Sequence, residues 1–93
     1  MGTFHQGKHR FHGMTLVVDT TGPKVYIGRC DDLDDEWIVL VDVETHDEGT
    51  AGLGKEEYIR KAARVGYEGV HRRMILSARE VQSIRLLGEI PVS

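Results

Sequence analysis

The 93-residue sequence has one cysteine, two prolines and no apolar run near the roughly 18 residues that a membrane-spanning helix needs. The single thiol, Cys30, excludes an internal disulfide and favours a reducing compartment. The N-terminus lacks the apolar segment of a secretory signal, so the expected location is the cytoplasm, with no membrane partner. With 40% apolar and 29% charged residues, the chain is expected to form one soluble domain around a single apolar core.

Basic residues are missing between Asp31 and Glu48, a stretch that contains nine acids. By contrast, the stretch from Lys55 to Arg85 has eight bases against four acids. The formal net charge of −3 argues against a strong general affinity for nucleic acid, because phosphate binding needs clustered Lys and Arg. The segregation indicates either a basic surface on an acidic protein or charges that solvate different outer faces.

Short apolar and alternating runs predict five strands. They are expected over residues 14–19, 24–30, 36–43, 70–77 and 80–88. In the third, the apolar run from Trp37 to Val41 predicts a strand that is covered on both faces and a tryptophan that lies in the core. Gly28, inside the second strand, predicts a sharp bend or a close approach of the backbone.

One helix is predicted over about residues 55–65, between the third and fourth strands. Tyr58, Ile59 and Ala62 belong to an apolar stripe at three- and four-residue spacing, and Gly66 is a natural C-terminal stop. Five short strands in so small a chain favour a strongly bent barrel, because an open sheet would leave two faces exposed. The predicted organisation is a flexible arm over 1–13, a mainly β barrel domain over 14–90 and a tail over 91–93.

The acidic run "DDLDDE" at 31–36 has two interpretations. Asp32, Asp34 and Glu36 alternate as the first ligands of a calcium loop would. However, Trp37 occupies the place of the glycine that such a loop requires, and an apolar strand follows instead of a helix. The second interpretation is a solvated hairpin turn, because Asp side chains accept hydrogen bonds from nearby backbone amides.

The histidines are candidate metal ligands. The imidazoles of His5, His9, His12 and His46 could serve zinc or nickel, and the first three would share a face of a helix. Glycines within that segment oppose a stable helix, so the favoured interpretation is a polar arm with solvent-exposed histidines and no bound metal.

Covalent catalysis has little support in the sequence. Cys30 stands beside Asp31 and Asp32, whose charges are expected to raise the pKa of the thiol and weaken it as a nucleophile. No nucleophile elbow, phosphate-binding loop or dinucleotide fingerprint occurs. We therefore expect a non-enzymatic protein without a cofactor.

The basic residues provide a binding hypothesis. They are Arg60, Lys61 and Arg64 on the outward part of the predicted helix, followed by Arg72 and Arg73. Repeated around a ring, these side chains would form a basic rim able to follow single-stranded nucleic acid. The competing interpretation is a charged helix face that serves only solubility.

Residues 14–87 resemble the Sm-like superfamily of small five-stranded barrels, which assemble into rings and often bind RNA. The first motif matches "VVDTTGPKVYIGRCDDLDDEWIVLVD", with Gly22, Gly28 and Asp34 in corresponding places. The second motif, two strands around a tight turn, resembles "RRMILSAREVQSIRLL". The resemblance implies an SH3-like/Sm-like barrel, a homo-oligomeric ring and RNA as a ligand.

The departures from the family pattern concern the RNA site. Ile38 stands where RNA-binding members carry a base-contacting Asn, and Ser77 and Ala78 stand where they carry Arg-Gly. The predicted helix also follows the third strand, whereas family members place one before the first. The sequence therefore predicts a divergent ring-forming protein that contacts RNA weakly through its basic helix face. The alternative is a protein–protein scaffold that binds a protein partner and no nucleic acid.

Overall fold

The computed structural model describes residues 11–92. They form β1 (Thr15–Thr20), β2 (Lys24–Leu33), β3 (Trp37–Asp47), α1 (Glu48–Ala51), α2 (Lys55–Val65), β4 (His71–Ser77) and β5 (Val81–Leu86). Single 3-10 turns, Ala78–Glu80 and Leu87–Glu89, follow the last two strands. The predicted mainly β architecture, with a helix between the third and fourth strands, is confirmed, and α1 is an additional turn of helix in the predicted loop.

The five strands form one antiparallel sheet in the order β4-β3-β2-β1-β5. The strands β4 and β5 lie at the two edges, and within residues 11–92 the sheet contains no ladder between them. The sheet is thus a bent barrel with one open seam. Each edge strand presents unpaired backbone groups, which are the groups that another strand can bind.

A β-bulge bends the sheet at the middle of β3. Ile27 pairs with Glu44 and Arg29 pairs with Val41, so Gly28 alone faces two residues of β3. One of them, Asp42, has a φ of 52°. An extra residue on one strand makes that strand turn and twist more strongly.

Gly28 is required by this bend. A Cβ atom at this position would lie 2.9 Å from Val43 Cγ2 and 3.1 Å from the Val41 carbonyl oxygen. The predicted close backbone approach at Gly28 is confirmed. The absence of a side chain at Gly28 lets the backbone of β3 lie close to β2 where the sheet bends.

Two apolar clusters pack on opposite faces of the sheet. The inner core fills the concave side and consists of buried residues from the strands, namely Leu16, Val18, Tyr26, Cys30, Leu33, Ile38, Leu40, Val43 and Leu76. The helix-covered core lies on the other side and consists of Val17, Val25, Ile27, Tyr58, Ile59, Ala62 and Ile90. Alternate residues of β1 and β2 therefore enter different cores, which is the consequence of the two-residue strand period.

The strands that are buried on both faces are β1 and β2, because α2 packs over them. The prediction that Trp37 lies in the core is wrong, since its side chain is 50% exposed. Val41 is only half-buried, so the expected two-sided burial of the run from Trp37 to Val41 is incomplete. An apolar run reports hydrophobicity, but it does not report where the covering helix will lie.

The predicted flexible arm extends over residues 1–13, of which residues 1–10 lie outside the described part of the chain. Phe11 packs against the inner core. Gly13 donates its backbone N–H to the Cys30 carbonyl oxygen at 2.8 Å, and Cys30 donates to the Met14 carbonyl oxygen at 2.8 Å. These bonds attach the chain before β1 to the second strand. No helix in the described residues is long and apolar enough to cross a membrane.

Candidate nucleic-acid interface

Helix α2 packs its apolar stripe against the sheet, apart from the exposed Val65, and presents its basic residues to solvent. Tyr58, Ile59 and Ala62 are buried against β1 and β2. Acidic side chains occupy the first turn and Arg64 the last, which suits the helix dipole, and the helix ends where Gly66 donates its N–H to the Ala62 carbonyl oxygen.

Three of the five predicted cations line one groove. Arg60, Lys61 and Arg64 surround a groove of about 250 Å³ together with Leu53 and Glu57. None of the three forms a side-chain ion pair within 4 Å of another described residue. The groove therefore carries three bases against one carboxylate, that of Glu57, which gives it a positive balance of charge.

The other two predicted cations lie on the edge strand. Arg72 and Arg73 are both exposed in β4, and Arg73 is paired in register with Val41. Because adjacent strand residues point to opposite faces, these two guanidinium groups do not share one surface. The structure thus assembles a three-residue basic groove and separates the remaining pair from it.

The remaining bases between Lys55 and Arg85 include two with structural roles. Lys55 Nζ donates to Asp19 Oδ1 at 2.7 Å and to the Thr20 carbonyl oxygen at 2.8 Å, which fastens the start of α2 to β1. Arg85 donates two hydrogen bonds to Glu56, at 3.2 and 2.8 Å. The hydrogen bond from Arg85 lowers the pKa of Glu56. The sequence does not distinguish these paired cations from the unpaired ones, because the acids that pair with them come from different places in the chain.

The acidic run forms a hairpin turn between β2 and β3. Asp34 Oδ1 accepts hydrogen bonds from the backbone N–H groups of Glu36 at 2.8 Å and Trp37 at 2.9 Å. Asp34 in turn donates its backbone N–H to the Trp37 carbonyl oxygen at 3.0 Å. The hairpin interpretation is confirmed, since the carboxylate holds the reversal together.

The turn between β4 and β5 lies against this hairpin. Ala78 donates its N–H to the Glu36 carbonyl oxygen at 2.9 Å, and Ser77 Oγ accepts from the Arg79 amide at 3.3 Å. Ile38, which stands in the place of the family's base-contacting Asn, is 1% exposed and belongs to the inner core. At this end of the sheet the chain thus places an inaccessible apolar side chain and a cluster of acids, neither of which attracts a polyanion.

A cleft lies beside the C-terminal half of α2. It has a volume of about 410 Å³, and its lining includes Glu44, Tyr58, Tyr67 and Glu68. Tyr58 donates its hydroxyl to Glu44 Oε1 at 2.7 Å, and Glu68 donates its backbone N–H to Glu44 Oε2 at 3.2 Å. Burial, followed by the hydrogen bond to Glu44, raises the pKa of Tyr58. These groups satisfy one another, so they anchor α2 and the following linker to β3.

The candidate metal ligands do not come together in the described residues. His46 is buried, stacks on Tyr58 with ring centroids 4.2 Å apart, and donates its Nε2–H to the Leu53 carbonyl oxygen at 2.7 Å. His12 Nδ1 lies 3.1 Å from the Asp31 carbonyl oxygen. Within residues 11–92 no group of three or more His, Cys, Asp or Glu side chains could hold a metal ion. His5 and His9 lie outside the described residues.

Cys30 is buried in the inner core. Burial, followed by the charges of Asp32 and Asp31, raises the pKa of the thiol. The direction agrees with the expectation from the neighbouring acids, although burial is the larger cause. A thiol that is both buried and protonated packs as a small apolar side chain and is a poor nucleophile.

The bent five-stranded antiparallel sheet with edges β4 and β5 has an Sm-like arrangement, and this chain places its helix between β3 and β4. The chain is similar to an Sm protein of Pyrococcus abyssii, whose structure was solved in complex with a uridine heptamer. The TM-score is 0.56 with 20% sequence identity, over 84% of this chain and 89% of that chain. No protein-family model matches the chain, and no curated protein matches it. The predicted Sm-like fold is confirmed, and at this identity the likeness concerns the fold.

Proposed function

We propose that this chain is the subunit of a homo-oligomeric ring that binds RNA weakly along the basic face of α2. The observation that supports the RNA part is the groove lined by Arg60, Lys61 and Arg64, three bases against the one carboxylate of Glu57, with no ion pair within 4 Å to another described residue. The role is one of binding, without a catalytic step. The cytoplasm is the proposed location, which the single buried thiol of Cys30 suits.

The two edge strands of the sheet support the proposed ring. In a head-to-tail contact, β4 of one copy pairs with β5 of the next, and each added copy again presents one free edge. Such a contact closes into a ring when the rotation between copies allows it. The exposed apolar side chain of Val70, directly before β4, supports an interface at this edge.

The RNA would follow the helices and avoid the hairpin end of the ring. Each subunit contributes one basic groove, so in the ring these grooves would form a continuous positively charged rim. Tyr58, the aromatic side chain of α2, is buried, so base stacking contributes little there. Binding that depends mainly on phosphate contacts is weak, shows little sequence preference and is strongly reduced by salt.

Two measurements test the two parts separately. Native mass spectrometry on protein purified without nuclease gives the number of subunits and any bound RNA. Fluorescence anisotropy with a labelled single-stranded RNA then compares the unmodified chain with Arg60→Glu/Arg64→Glu. We expect the variant to bind the RNA about tenfold more weakly at low salt, because phosphate contacts are lost. Its affinity should also depend less steeply on salt concentration.

The matched control is Lys24→Glu/Arg79→Glu, which changes the net charge equally at two exposed positions outside the groove. Equal losses in the two variants would contradict binding at α2 and indicate general charge attraction. A monomer in native mass spectrometry would contradict the ring and leave the groove to be tested as a site on a single subunit.

A protein–protein scaffold is the second candidate function. The acidic hairpin end favours it, because Asp31, Asp32, Asp34, Asp35 and Glu36 repel RNA over that part of the surface. In this case a stable ring forms, but labelled RNA shows no salt-dependent binding and the Arg60→Glu/Arg64→Glu variant behaves as the unmodified chain does.

A further inference from the structure

An exposed apolar patch lies on the outer face of β3 and β4, away from α2. Trp37 and Ile75 are 50% and 58% exposed, and Val39 lies between them at the base of the patch. Asp32 and Asp34 form its rim, and the depression that the five residues line has a volume of about 370 Å³. An exposed tryptophan beside other apolar side chains is typical of a surface that another segment covers.

The chemistry of the patch specifies the segment that would cover it. Five acids lie within residues 31–36, immediately before Trp37, and no base lies among them. The negative face of an indole ring attracts cations, and the neighbouring carboxylates attract them further. A suitable occupant therefore combines Lys or Arg with apolar side chains and carries no acid.

The first ten residues of this chain, "MGTFHQGKHR", have that composition. They contain Lys8 and Arg10, the apolar residues Met1 and Phe4, and no acid. The chain that follows them is attached next to the patch, since His12 Nδ1 lies 3.1 Å from the Asp31 carbonyl oxygen and Asp31 adjoins the rim residue Asp32. Attachment at this point gives the segment a high effective concentration, so individually weak contacts suffice.

We propose that residues 1–10 bind the patch formed by Trp37, Val39 and Ile75, with Lys8 and Arg10 facing the acidic rim. The segment would shield the tryptophan from solvent and neutralise part of the acidic hairpin. This contact depends neither on the ring nor on RNA. Its test therefore stands apart from the test of the proposed function.

Trp37 is the only tryptophan in the chain, so its fluorescence reports directly on the patch. The experiment measures quenching of Trp37 by acrylamide in the unmodified chain, in Lys8→Glu/Arg10→Glu and in Lys24→Glu/Arg60→Glu. The last variant is a control that changes the net charge equally at positions that do not line the patch. We expect the quenching constant to rise about twofold in the first variant only, because attraction to the rim becomes repulsion.

The patch side provides a second variant. Asp32→Asn/Asp34→Asn keeps oxygen acceptors for the amides of Leu33, Glu36 and Trp37 but removes both charges. It is expected to expose Trp37 to a similar degree. High salt should raise the quenching of the unmodified chain to the same level, because exposed ion pairs are screened.

Equal quenching in the unmodified chain, Lys8→Glu/Arg10→Glu and the control would overturn the proposal. Shielding of Trp37 that is lost only when an oligomer is diluted to monomers would assign the patch to a second copy and also overturn it. The proposal fails as well if the variants are alike and only an added arginine-rich peptide shields Trp37, since the occupant would then be a separate basic partner.

Discussion

The two halves of β3 have different surroundings on their outer face, although they belong to one continuous strand. Before the bulge, Trp37, Val39 and Val41 alternate toward a face that α2 does not cover, and Trp37 is half exposed. After the bulge, Glu44 and His46 contact Tyr58 of α2. The apolar half is therefore the less covered one, which shows that coverage follows the path of the helix rather than the hydrophobicity of the strand.

The path of α2 is decided at the end of β3. Asp47 Oδ1 accepts the Gly49 N–H at 2.8 Å and starts α1, and the chain turns within a few residues into α2. So short a connection places the helix over the nearby part of the sheet, where it packs on β1 and β2. The face around Trp37 and Ile75 is left to other segments or other chains.

The largest expected difference between the covered and uncovered faces is the cost of shortening an isoleucine. Ile27→Ala, in the helix-covered core, should lower the free energy of unfolding by about 2–5 kcal/mol, because it removes packed methyl groups and leaves a cavity. Ile75→Ala, on the uncovered face, should cost less than about 1 kcal/mol. Urea unfolding of both variants at one protein concentration measures the difference. Equal losses would mean that the outer face of β4 is covered as well as the core is.

The attachment of α2 can be weakened at its first residue. Lys55→Met keeps the apolar stem but removes the ammonium group that binds Asp19, whose side chain is only 11% exposed. The loss should be about 1.5–3 kcal/mol, because a nearly buried carboxylate loses a charged hydrogen-bond partner. Arg29→Met is the matched control, since Arg29 and Asp42 are both more than half exposed and such a pair contributes at most about 1 kcal/mol. Thermal unfolding of the two variants measures both losses of stability. Equal losses would contradict the expected contrast.

The bend that separates the two halves of β3 depends on Gly28. Gly28→Ala places a methyl group within 2.9 Å of Val43 Cγ2 and 3.2 Å of Leu40 Cβ, so β2 and β3 must move apart. The expected destabilisation is about 1–3 kcal/mol, typical of overpacking. Gly22→Ala serves as the control because a Cβ at Gly22 meets nothing within 4 Å. The comparison is made with the denaturant concentration at which each variant is half unfolded. An unchanged midpoint for Gly28→Ala would show that the bulge tolerates a side chain.

The smallest expected effect is a pH dependence from the Glu56–Arg85 pair, which connects α2 to β5. Because Arg85 lowers the folded-state pKa of Glu56, the pair stabilises the fold above the ordinary carboxyl pKa. That contribution is lost as the pH falls through the lowered value. Since the Glu56 side chain is 55% exposed, the effect should stay below about 1 kcal/mol. Urea unfolding at pH 6 and pH 3 should show a smaller decrease for Glu56→Gln than for the unmodified chain, and an identical decrease would contradict the role of this pair.

Local patterns in the sequence were enough to predict the elements of the fold. The alternation in β2, the β-branched run in β1 and the stripe of α2 are each set by neighbours in the chain, so their positions agree with the structure to within a few residues. The role of Asp34 in the hairpin turn is equally local, since its carboxylate bonds residues two and three positions away. A bent barrel was expected because closing five short strands buries one face, and the Sm-like arrangement was predicted from the resemblance of the two motifs.

The candidate site was predicted less completely. The helical spacing predicted that Arg60, Lys61 and Arg64 share an exposed face, and the structure places them around one groove. The position of Arg72 and Arg73 on an edge strand depends on strand pairing, which no local pattern reveals. The network of Glu44, Tyr58 and His46 was missed for the same reason, because it joins side chains from β3 and α2 that meet only after folding.

By itself, the sequence determined the strands, the helix, the tight turn and the segregation of charge, because each depends on periodicity or on hydrogen bonds between near neighbours. The tertiary structure alone decided which bases are paired, which half of β3 is covered and which strands become edges. These outcomes depend on contacts between segments far apart in the chain, such as Lys55 with Asp19 and Arg85 with Glu56. Composition constrains such long-range contacts only weakly, and the packing of α2 across the sheet selects among them.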